Sequence, residues 1–392
     1  MKLIKNGLVL DFQKGFQVRD ILIDSGKIAS IDKKIEVSEE GFEVLDAEGF
    51  YVVPGFIDVH THGAAGIDIM KADSYQLNDL SLFFASKGVT SFLATVMTDS
   101  KENIERALEN ICFAMEKGTC GAQIAGINME GPFINPKYRG AHPIEHILKP
   151  DVAIIDEFIA RAGNNIRLVT AAPELDGIWE IIRRFEKESI VFSAGHSGID
   201  FAAAKEAFRG GFKHVTHLFN AMTGIHHREP GLVGAALDSD SVTVEIIPDL
   251  IHVHEAVIQM VVKCKTPDKA VLITDSILAT GLGDGKLEFA GGTITVKDGA
   301  AVFENGVLAG STLTMIDGIK NMVEKLGFSL EDTIKMASSN PAKLINIFDR
   351  KGSLSKGKDA DIVILDKVLN IQETIIQGKT VYSTFPYHPS RL

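Results

Sequence analysis

The chain has 392 residues, of which 45% are hydrophobic and 23% are charged, and its formal net charge is −12. This composition excludes a disordered tail protein and a small disulfide scaffold, and no apolar run reaches the ~18 residues that a membrane span needs. An acidic chain argues against nucleic acid and membranes as partners, because both favour a basic surface. Three cysteines without a CxxC pair suit a reducing compartment, so we expect a cytoplasmic globular protein.

The two ends of the chain predict one small β domain. Residues 1–53 contain near-alternating runs such as KLIKNGLVLD and QVRDILID, and residues 349–392 contain DADIVILD and ETIIQGKTVYS. Such runs between turn residues are typical of strands. Neither end offers much core alone, so we expect both termini to form a single β-sandwich.

The middle of the chain, residues 54–348, predicts alternating strands and helices. Helix-like segments such as 102–118 and 175–189 separate the strand-like runs, several of which are apolar enough for parallel strands buried on both faces. Eight units over roughly 250 residues favour an α/β fold, a TIM-like (β/α)8 barrel, with a β insertion at about 285–309. A doubly wound open sheet is the alternative, but its Gly-rich phosphate fingerprint is missing. The eight runs are 56–60, 90–95, 123–130, 166–174, 190–196, 214–220, 242–249 and 270–275.

Candidate catalytic side chains lie at or near the ends of these runs. Because the carboxyl ends of barrel strands meet at one mouth, where the active sites of such barrels lie, we expect these side chains to converge. His217 is predicted within the sixth run, and the other candidates end or follow a run. The set is His60, His62, Glu130, His196, His217 and Asp275.

The histidines and the glutamate predict a metal site. Glu130, His196 and His217 would give three ligands with open positions, as catalytic metals require, and suit a divalent ion such as Zn, Fe, Mn or Co. His60 and His62 stand at i and i+2, on one side of an extended chain, so they predict a second, weaker ion that shares Glu130. Each residue taken alone could instead be an ordinary carboxylate or an imidazole bonded to backbone.

Asp275 and Arg228 carry the remaining chemistry. Asp275 follows the apolar run AVLIT, and is either a helix N-cap or a catalytic carboxylate that acts as general base and then acid. Arg228 lies among histidines in HHREPG and suits a phosphate or carboxylate, although an exposed polar loop is the alternative. His142 and His252 belong to loops that could reach the same mouth.

A set of motifs extends along almost the whole chain: PGFIDVHTHG, NMEGPF, GAHP, SAGHS, THLFNAM, HHREPG, LITDS and LAGSTLTM. Together they resemble the N-acetylglucosamine-6-phosphate deacetylases of the amidohydrolase superfamily. PGFIDVHTH and GKDADIVILD are shared across much of that superfamily, whereas MEGPF with GAHP, THLFNAM and HHREPG is more specific to the deacetylases.

The resemblance implies metal-dependent hydrolysis of the acetamide of N-acetylglucosamine 6-phosphate. It implies that Glu130, His196 and His217 hold the principal divalent metal and that Asp275 is the acid/base. His142 would contact the acetamide side, and the other substrate residues would mainly bind the sugar phosphate, with Arg228 reaching across from the neighbouring subunit of a homodimer. The implied substrate residues are Ala141, His142, Asn220, Ala221, Arg228, His252, Leu308, Ala309 and Gly310.

One departure and two alternatives accompany the resemblance. The family often has Asp-Gly where Leu250 follows Asp249 here, so we expect the backbone of this loop to differ. Another amidohydrolase, acting on a cyclic amide or as a deaminase, usually lacks MEGPF and often uses a modified lysine on the fourth strand, where IRLVTAAPE has none. A catalytically silent barrel with a regulatory or assembly role is the alternative from another class.

Overall fold

The structure is a computed structural model that describes residues 1–37, 41–186 and 188–385. Its strands are β1 (Lys2–Asp11), β2 (Gly15–Asp24), β3 (Lys27–Asp32), β4 (Glu43–Asp46), β5 (Tyr51–Pro54), β6 (Phe56–Thr61), β7 (Gly63–Ala64), β8 (Ile67–Asp68), β9 (Val89–Met97), β10 (Gln123–Glu130), β11 (Ile166–Ala171), β12 (Val191–Ala194), β13 (Phe212–Val215), β14 (Thr243–Ile246), β15 (Ala270–Leu272), β16 (Gly285–Phe289), β17 (Gly292–Lys297), β18 (Ala300–Phe303), β19 (Leu308–Ser311), β20 (Ile362–Leu365), β21 (Ile371–Ile376) and β22 (Lys379–Ser383). Its α-helices are α1 (Ser74–Ser86), α2 (Lys101–Lys117), α3 (Val152–Arg161), α4 (Ile178–Phe185), α5 (Phe201–Gly210), α6 (Gly231–Leu237), α7 (Glu255–Lys269), α8 (Met315–Lys320), α9 (Leu330–Ile334) and α10 (Asn340–Leu344). Short 3₁₀ turns cover Pro136–Tyr138 and Ile144–His146, and π-helical turns cover Asn321–Lys325 and Lys335–Ser339.

The central sheet is a parallel barrel. Its eight strands follow chain order, from β6 through β9, β10, β11, β12, β13 and β14 to β15. The first and last strands also meet, because the Asp275 amide donates to the His60 carbonyl at 2.9 Å and the His62 amide donates to the Ser276 carbonyl at 2.7 Å. The predicted (β/α)8 barrel is therefore confirmed, and the residues just past its first and last strands lie side by side.

The strands around the site end earlier than the sequence predicts. The fifth run was expected to extend to 196 and the sixth to 220, but β12 ends at Ala194 and β13 at Val215. After each of these two strands the backbone leaves the extended conformation, since His196 has φ 48° and His217 has φ 26°. The prediction that His217 lies within a strand is therefore wrong, and the residue belongs to the turn that follows.

The terminal segments form one small β domain, as predicted. The strands follow the path β22-β21-β20-β5-β1-β2-β3, with β4 beside β1, and β20 joins the two ends of the chain by pairing antiparallel with β5. A separate apolar core, which includes Ile4, Ile21, Val52, Ile362 and Ile375, lies within this sheet. The domain boundaries at 53/54 and 348/349 stay predictions.

A second small sheet borders the barrel mouth. Strands β16 to β19 form a four-stranded antiparallel sheet after the last barrel strand, and Ser311 at the end of β19 bridges to Ser276. This sheet brings Phe289, Leu308 and Gly310 to the carboxyl ends of the barrel strands. Within the described ranges, no helix is both long and apolar enough to cross a bilayer.

Candidate active site

A cavity of about 390 Å³ lies at the carboxyl ends of the barrel strands. Its size is in the range of pockets that enclose a small molecule. Of the predicted metal and acid/base residues, His60 does not line it, because that ring lies wholly buried behind the others. The predicted residues that do line it are His62, Glu130, Ala141, His142, His196, His217, Asn220, Ala221, His252, Asp275, Leu308 and Gly310.

Glu130, His196 and His217 converge at the floor of this cavity. Oε1 of Glu130 lies 2.9 Å from Nε2 of His196 and 3.0 Å from Nε2 of His217, and the two Nε2 atoms are 3.0 Å apart. Nδ1 of His196 faces the Tyr138 carbonyl at 2.9 Å, so Nδ1 carries the hydrogen and Nε2 presents a lone pair. Three ligand atoms from three strand ends therefore point to one position.

His60, His62 and Asp275 form a second group beside the first. Nε2 of His62 lies 3.2 Å from Oε2 of Glu130 and 3.2 Å from Oδ1 of Asp275. Nε2 of His60 lies 3.5 Å from Oε1 of Glu130 and 3.6 Å from Oδ1 of Asp275. The two carboxylate oxygens of Glu130 thus face both groups, which is the geometry needed for a shared ligand.

The residues of this centre fit a divalent metal. Nε2 of His60 is fully buried and has no hydrogen-bond partner within the part of the chain that the structure describes. An unpaired buried polar atom costs free energy, and a cation would satisfy it. Imidazole nitrogens together with carboxylate oxygens suit first-row divalent ions more than Mg²⁺ or Ca²⁺.

The electrostatics of the centre agree with that fit. Burial raises the pKa of Glu130 and of Asp275, but neighbouring histidines, His60 above all, outweigh burial and hold both pKa values below their ordinary range. Burial and the neighbouring His142 lower the pKa of His196 to about 4, so this imidazole is neutral near pH 7. Burial also lowers the pKa of His62, but its hydrogen bonds to Asp275 and Glu130 outweigh burial and raise it to about 9. The ionised carboxylates therefore attract positive charge to the centre.

Three site residues have strained backbones. His196, His217 and Asp275 all have positive φ, at 48°, 26° and 50°. Non-glycine residues seldom adopt this region, and such strain clusters at functional sites. Each residue stands in the turn after its strand, where an extended chain would aim the side chain elsewhere.

The predicted substrate residues differ in their contacts and in whether they line the cavity. His142 has Nε2 at 3.3 Å from Oε2 of Glu130, and His252 has Nδ1 at 2.6 Å from Oδ2 of Asp249. Gly310 packs so closely against the barrel that a Cβ there would lie 2.9 Å from the Asp275 carbonyl, so a larger residue does not fit. Ala309 is fully buried and does not line the cavity, although its two neighbours do.

Arg228 lies outside the cavity of its own chain. It is exposed, at the tip of a turn in which His226 and Glu229 pair, and its Nη1 atom is 2.7 Å from Nε2 of His227. The expectation that it binds phosphate therefore stays a prediction. Within the described residues, Lys137 is the lysine or arginine that lines the cavity, and the sequence analysis missed it.

Glu245 is the other residue that sequence reasoning missed. This glutamate of β14 is fully buried and faces Nδ1 of His60 at 3.0 Å and Nε2 of His214 at 3.2 Å. The signal was present, since Glu245 is a single carboxylate inside the apolar run VTVEII, and a buried charge needs partners. Lys137 had a weaker signal, its place in the NPKYRG loop that follows Glu130.

Comparison with known proteins identifies the family. The amidohydrolase family matches residues 51–381 of this chain. The chain is 40% identical to the N-acetylglucosamine-6-phosphate deacetylase of Bacillus subtilis (strain 168), over 92% of each chain. It is 36% identical to the N-acetylgalactosamine-6-phosphate deacetylase of Escherichia coli O157:H7, over 91% of this chain and 93% of that one. Its fold matches a mutant N-acetyl-D-glucosamine-6-phosphate deacetylase from Mycobacterium smegmatis in complex with N-acetyl-D-glucosamine-6-phosphate, with a TM-score of 0.90, 28% identity and coverage of 97% and 99%. The resemblance in the sequence is thereby confirmed, and the chain belongs to the amidohydrolase family.

Proposed function

We propose that this protein hydrolyses the acetamide of N-acetyl-D-glucosamine 6-phosphate to D-glucosamine 6-phosphate and acetate. The observation that carries the proposal is the convergence of Glu130, His196 and His217 beside the Asp275 carboxylate in one cavity. Relatives that cover more than nine-tenths of the chain carry the name of this activity, which supports the choice of substrate. We place the reaction in the cytoplasm, in amino-sugar catabolism or in recycling of cell-wall sugars.

Two groups of side chains would hold metal. Glu130, His196 and His217 would hold the principal ion, and His60 and His62 a weaker second ion that shares Glu130. Zn, Fe, Mn and Co all suit this donor set. A divalent cation bound there supplies Lewis-acid polarisation of the acetyl carbonyl and lowers the pKa of water.

Asp275 would be the acid/base. Its carboxyl group is ionised at neutral pH because the adjacent histidines hold its pKa below the ordinary range, although burial raises it. It can therefore remove a proton from water as the water oxygen attacks the acetyl carbonyl carbon. The same proton can then pass from Asp275 to the sugar nitrogen as the C–N bond breaks, which releases the amine and acetate.

His142 would stabilise the acetyl oxygen. Its Nδ1 atom accepts a hydrogen bond from the backbone N–H of Thr98, with 3.4 Å between the two nitrogen atoms. In the neutral ring the hydrogen then resides on Nε2, which points into the cavity near Oε2 of Glu130. An Nε2–H donor at that place would stabilise negative charge that develops on the acetyl oxygen.

The phosphate of the substrate would bind in the part of the cavity away from the metal ligands. Asn220, Ala221, His252 and the backbone of residues 308–310 would contact the sugar phosphate, and Lys137 lines the same cavity. Arg228 would reach the phosphate from the partner subunit of a homodimer, since it does not line the cavity of its own chain. Charged contacts suit this ligand, because a protein of net charge −12 does not attract an anion at long range.

The proposal is tested by measuring acetate release from N-acetylglucosamine 6-phosphate. The matched substrates are the unphosphorylated sugar and N-acetylgalactosamine 6-phosphate, the second because a relative carries that name. We expect the gluco phosphate to have the highest kcat/KM, and a chelator followed by added metal to abolish and restore it. A preference for the galacto phosphate would change the assigned substrate, and equal rates with and without phosphate would remove the phosphate site. No acetate from any of the three would favour another amidohydrolase substrate or a catalytically silent barrel.

A further inference from the structure

Glu245, on β14, contacts residues of two other barrel strands, β6 and β13, and of the turn that follows β13. Its Oε2 atom accepts a hydrogen bond from the backbone N–H of His217 at 2.9 Å and faces Nδ1 of His60 at 3.0 Å. Its Oε1 atom faces Nε2 of His214 at 3.2 Å, and Nδ1 of His214 continues the chain to Thr243 at 2.6 Å. His60, His214 and His217 are fully or almost fully buried.

The hydrogen positions at this junction follow from the chemistry of the carboxylate. An ionised carboxylate only accepts hydrogen bonds, so Nδ1 of His60 must donate to Glu245. In the neutral form of His60, which is the form that binds a metal, Nε2 then carries no hydrogen, and this atom presents its lone pair to the space beside Glu130 and Asp275. That same Nε2 atom is buried without a hydrogen-bond partner among the described residues, as is expected of an atom that binds a cation.

The backbone contact extends the effect to the other group of ligands. His217 has the strained φ of 26°, and its amide hydrogen is held by the same Oε2 atom that orients His60. A single oxygen thus fixes a side chain in one group of candidate ligands and the backbone of a residue in the other.

We propose that Glu245 is a positioning residue that commits His60 to bind metal through Nε2 and couples the occupancy of the two ion positions. Hydrogen-bond partners of metal-bound imidazoles orient the ring and increase its basicity, and their loss commonly lowers metal affinity by about 10- to 100-fold. This inference rests on the proposed function only for the presence of a metal. It requires no particular substrate.

Two substitutions and one control test it. Glu245→Gln keeps the shape and an acceptor oxygen for His60 and the His217 amide, and its NH₂ group can donate to His214 if that ring moves its hydrogen to Nδ1. Glu245→Leu removes every acceptor. His214→Gln is the matched control, because it changes an equally buried residue that contacts Glu245 but leaves the His60 and His217 contacts intact.

The measurement is metal content after equilibrium dialysis of apo-protein against a series of free Zn²⁺ concentrations, together with the visible spectrum of the Co²⁺-loaded protein. We expect Glu245→Gln to keep both ions but to bind the weaker one about 10- to 100-fold less tightly. Glu245→Leu should lose one equivalent and change the Co²⁺ spectrum, whereas His214→Gln should keep wild-type stoichiometry. Thermal unfolding of each apo-protein reports whether the variants remain folded.

The inference is overturned if Glu245→Gln binds both ions with wild-type affinity, or if His214→Gln loses as much metal as the Glu245 variants. If Glu245→Leu fails to fold, the affinity of Glu245→Gln relative to the control decides the question alone. Acetate release is measured separately on the wild-type protein. Weaker binding of one ion by Glu245→Gln, together with an inactive wild type, would retain this inference and reject the proposed function.

Discussion

Arg228 offers a decisive test of whether the active site is shared between subunits. The residue is exposed on a turn outside the cavity of its own chain, so we expect any effect on phosphate binding to come from a partner subunit. Loss of one charge-assisted contact costs roughly 1.5–3 kcal/mol. Arg228→Ala should therefore raise KM for the phosphorylated sugar by about 10- to 150-fold, with little change for the unphosphorylated one.

A mixed dimer separates action within one chain from action across the interface. Arg228→Ala and Asp275→Asn chains, each with its own purification tag, are co-expressed and the heterodimer is isolated by two affinity steps. If Arg228 acts across the interface, the Asp275→Asn chain supplies an intact arginine to the site that keeps Asp275. The heterodimer should then show the wild-type KM with about half of the wild-type kcat per dimer, because one of two symmetric sites is complete.

The opposite result has an equally clear form. A heterodimer with the raised KM of the Arg228→Ala homodimer would show that Arg228 acts only within its own chain, which the exposed turn does not support. A wild-type KM in the Arg228→Ala homodimer would show that the arginine does not bind phosphate at all. Lys137→Ala would then be the next variant, since Lys137 is the lysine that lines the cavity in the described chain.

Other variants of the site have expected outcomes of their own. Asp275→Asn should lower kcat by about 10²- to 10⁴-fold at unchanged metal content, since it loses the proton acceptor, and near-normal turnover would exclude that role. His60→Asn with His62→Asn should lower bound metal toward one equivalent and leave some activity, and an undiminished content would make both histidines structural. The pKa of His62 is about 9 in the metal-free fold, compared with 6.5 ordinarily. Protonation of His62 therefore stabilises the folded apo-protein fully below pH 6.5, and this stabilisation is lost as the pH rises through about 9. Metal affinity should rise over that range, with proton release at pH 7 detected by calorimetry in buffers of different ionisation enthalpy. The free energy of unfolding in urea should be about 1 kcal/mol higher for Leu250→Gly than for Leu250→Ala, because of the two only glycine adopts the positive φ at this position without strain. The reverse order would show that the backbone there is unstrained.

Much of the fold and of the site could be predicted because the sequence carries a strict spatial rule. Parallel barrel strands present their carboxyl ends at one mouth, so a histidine or carboxylate at the end of an apolar run can be placed without knowing the structure. Glu130, at the end of β10, and His62, just after β6, were found in this way. The rule gives the neighbourhood of a side chain, but it does not give its direction.

Direction depends on contacts between distant parts of the chain, and here the sequence was insufficient. Glu245 meets His60 across 185 residues, and no local pattern indicates that the buried carboxylate lies beneath a histidine of the first strand. Arg228 was assigned to phosphate by its residue type and by the resemblance, although it does not line the cavity of its own chain. Both cases require three-dimensional information, because the local sequence does not determine the partner of a charged side chain. That partner can lie in the site, in the layer beneath it or in a neighbouring molecule.

The loop after the seventh strand has a left-handed backbone at a residue other than glycine. Leu250, where the family often has glycine, has φ 65°, the left-handed conformation that glycine favours. The expectation that this loop differs from that of its relatives stays a prediction. Oδ1 of Asp249 accepts hydrogen bonds from the amides of Ile251 and His252, both at 2.9 Å, and Oδ2 lies 2.6 Å from Nδ1 of His252. Because these bonds define the turn, the strain at one leucine, on the order of 1–2 kcal/mol, is not enough to change it. The aspartate therefore holds His252 at the cavity with leucine at position 250, and its hydrogen bonds account for the shape of the loop better than the residue type at that position does.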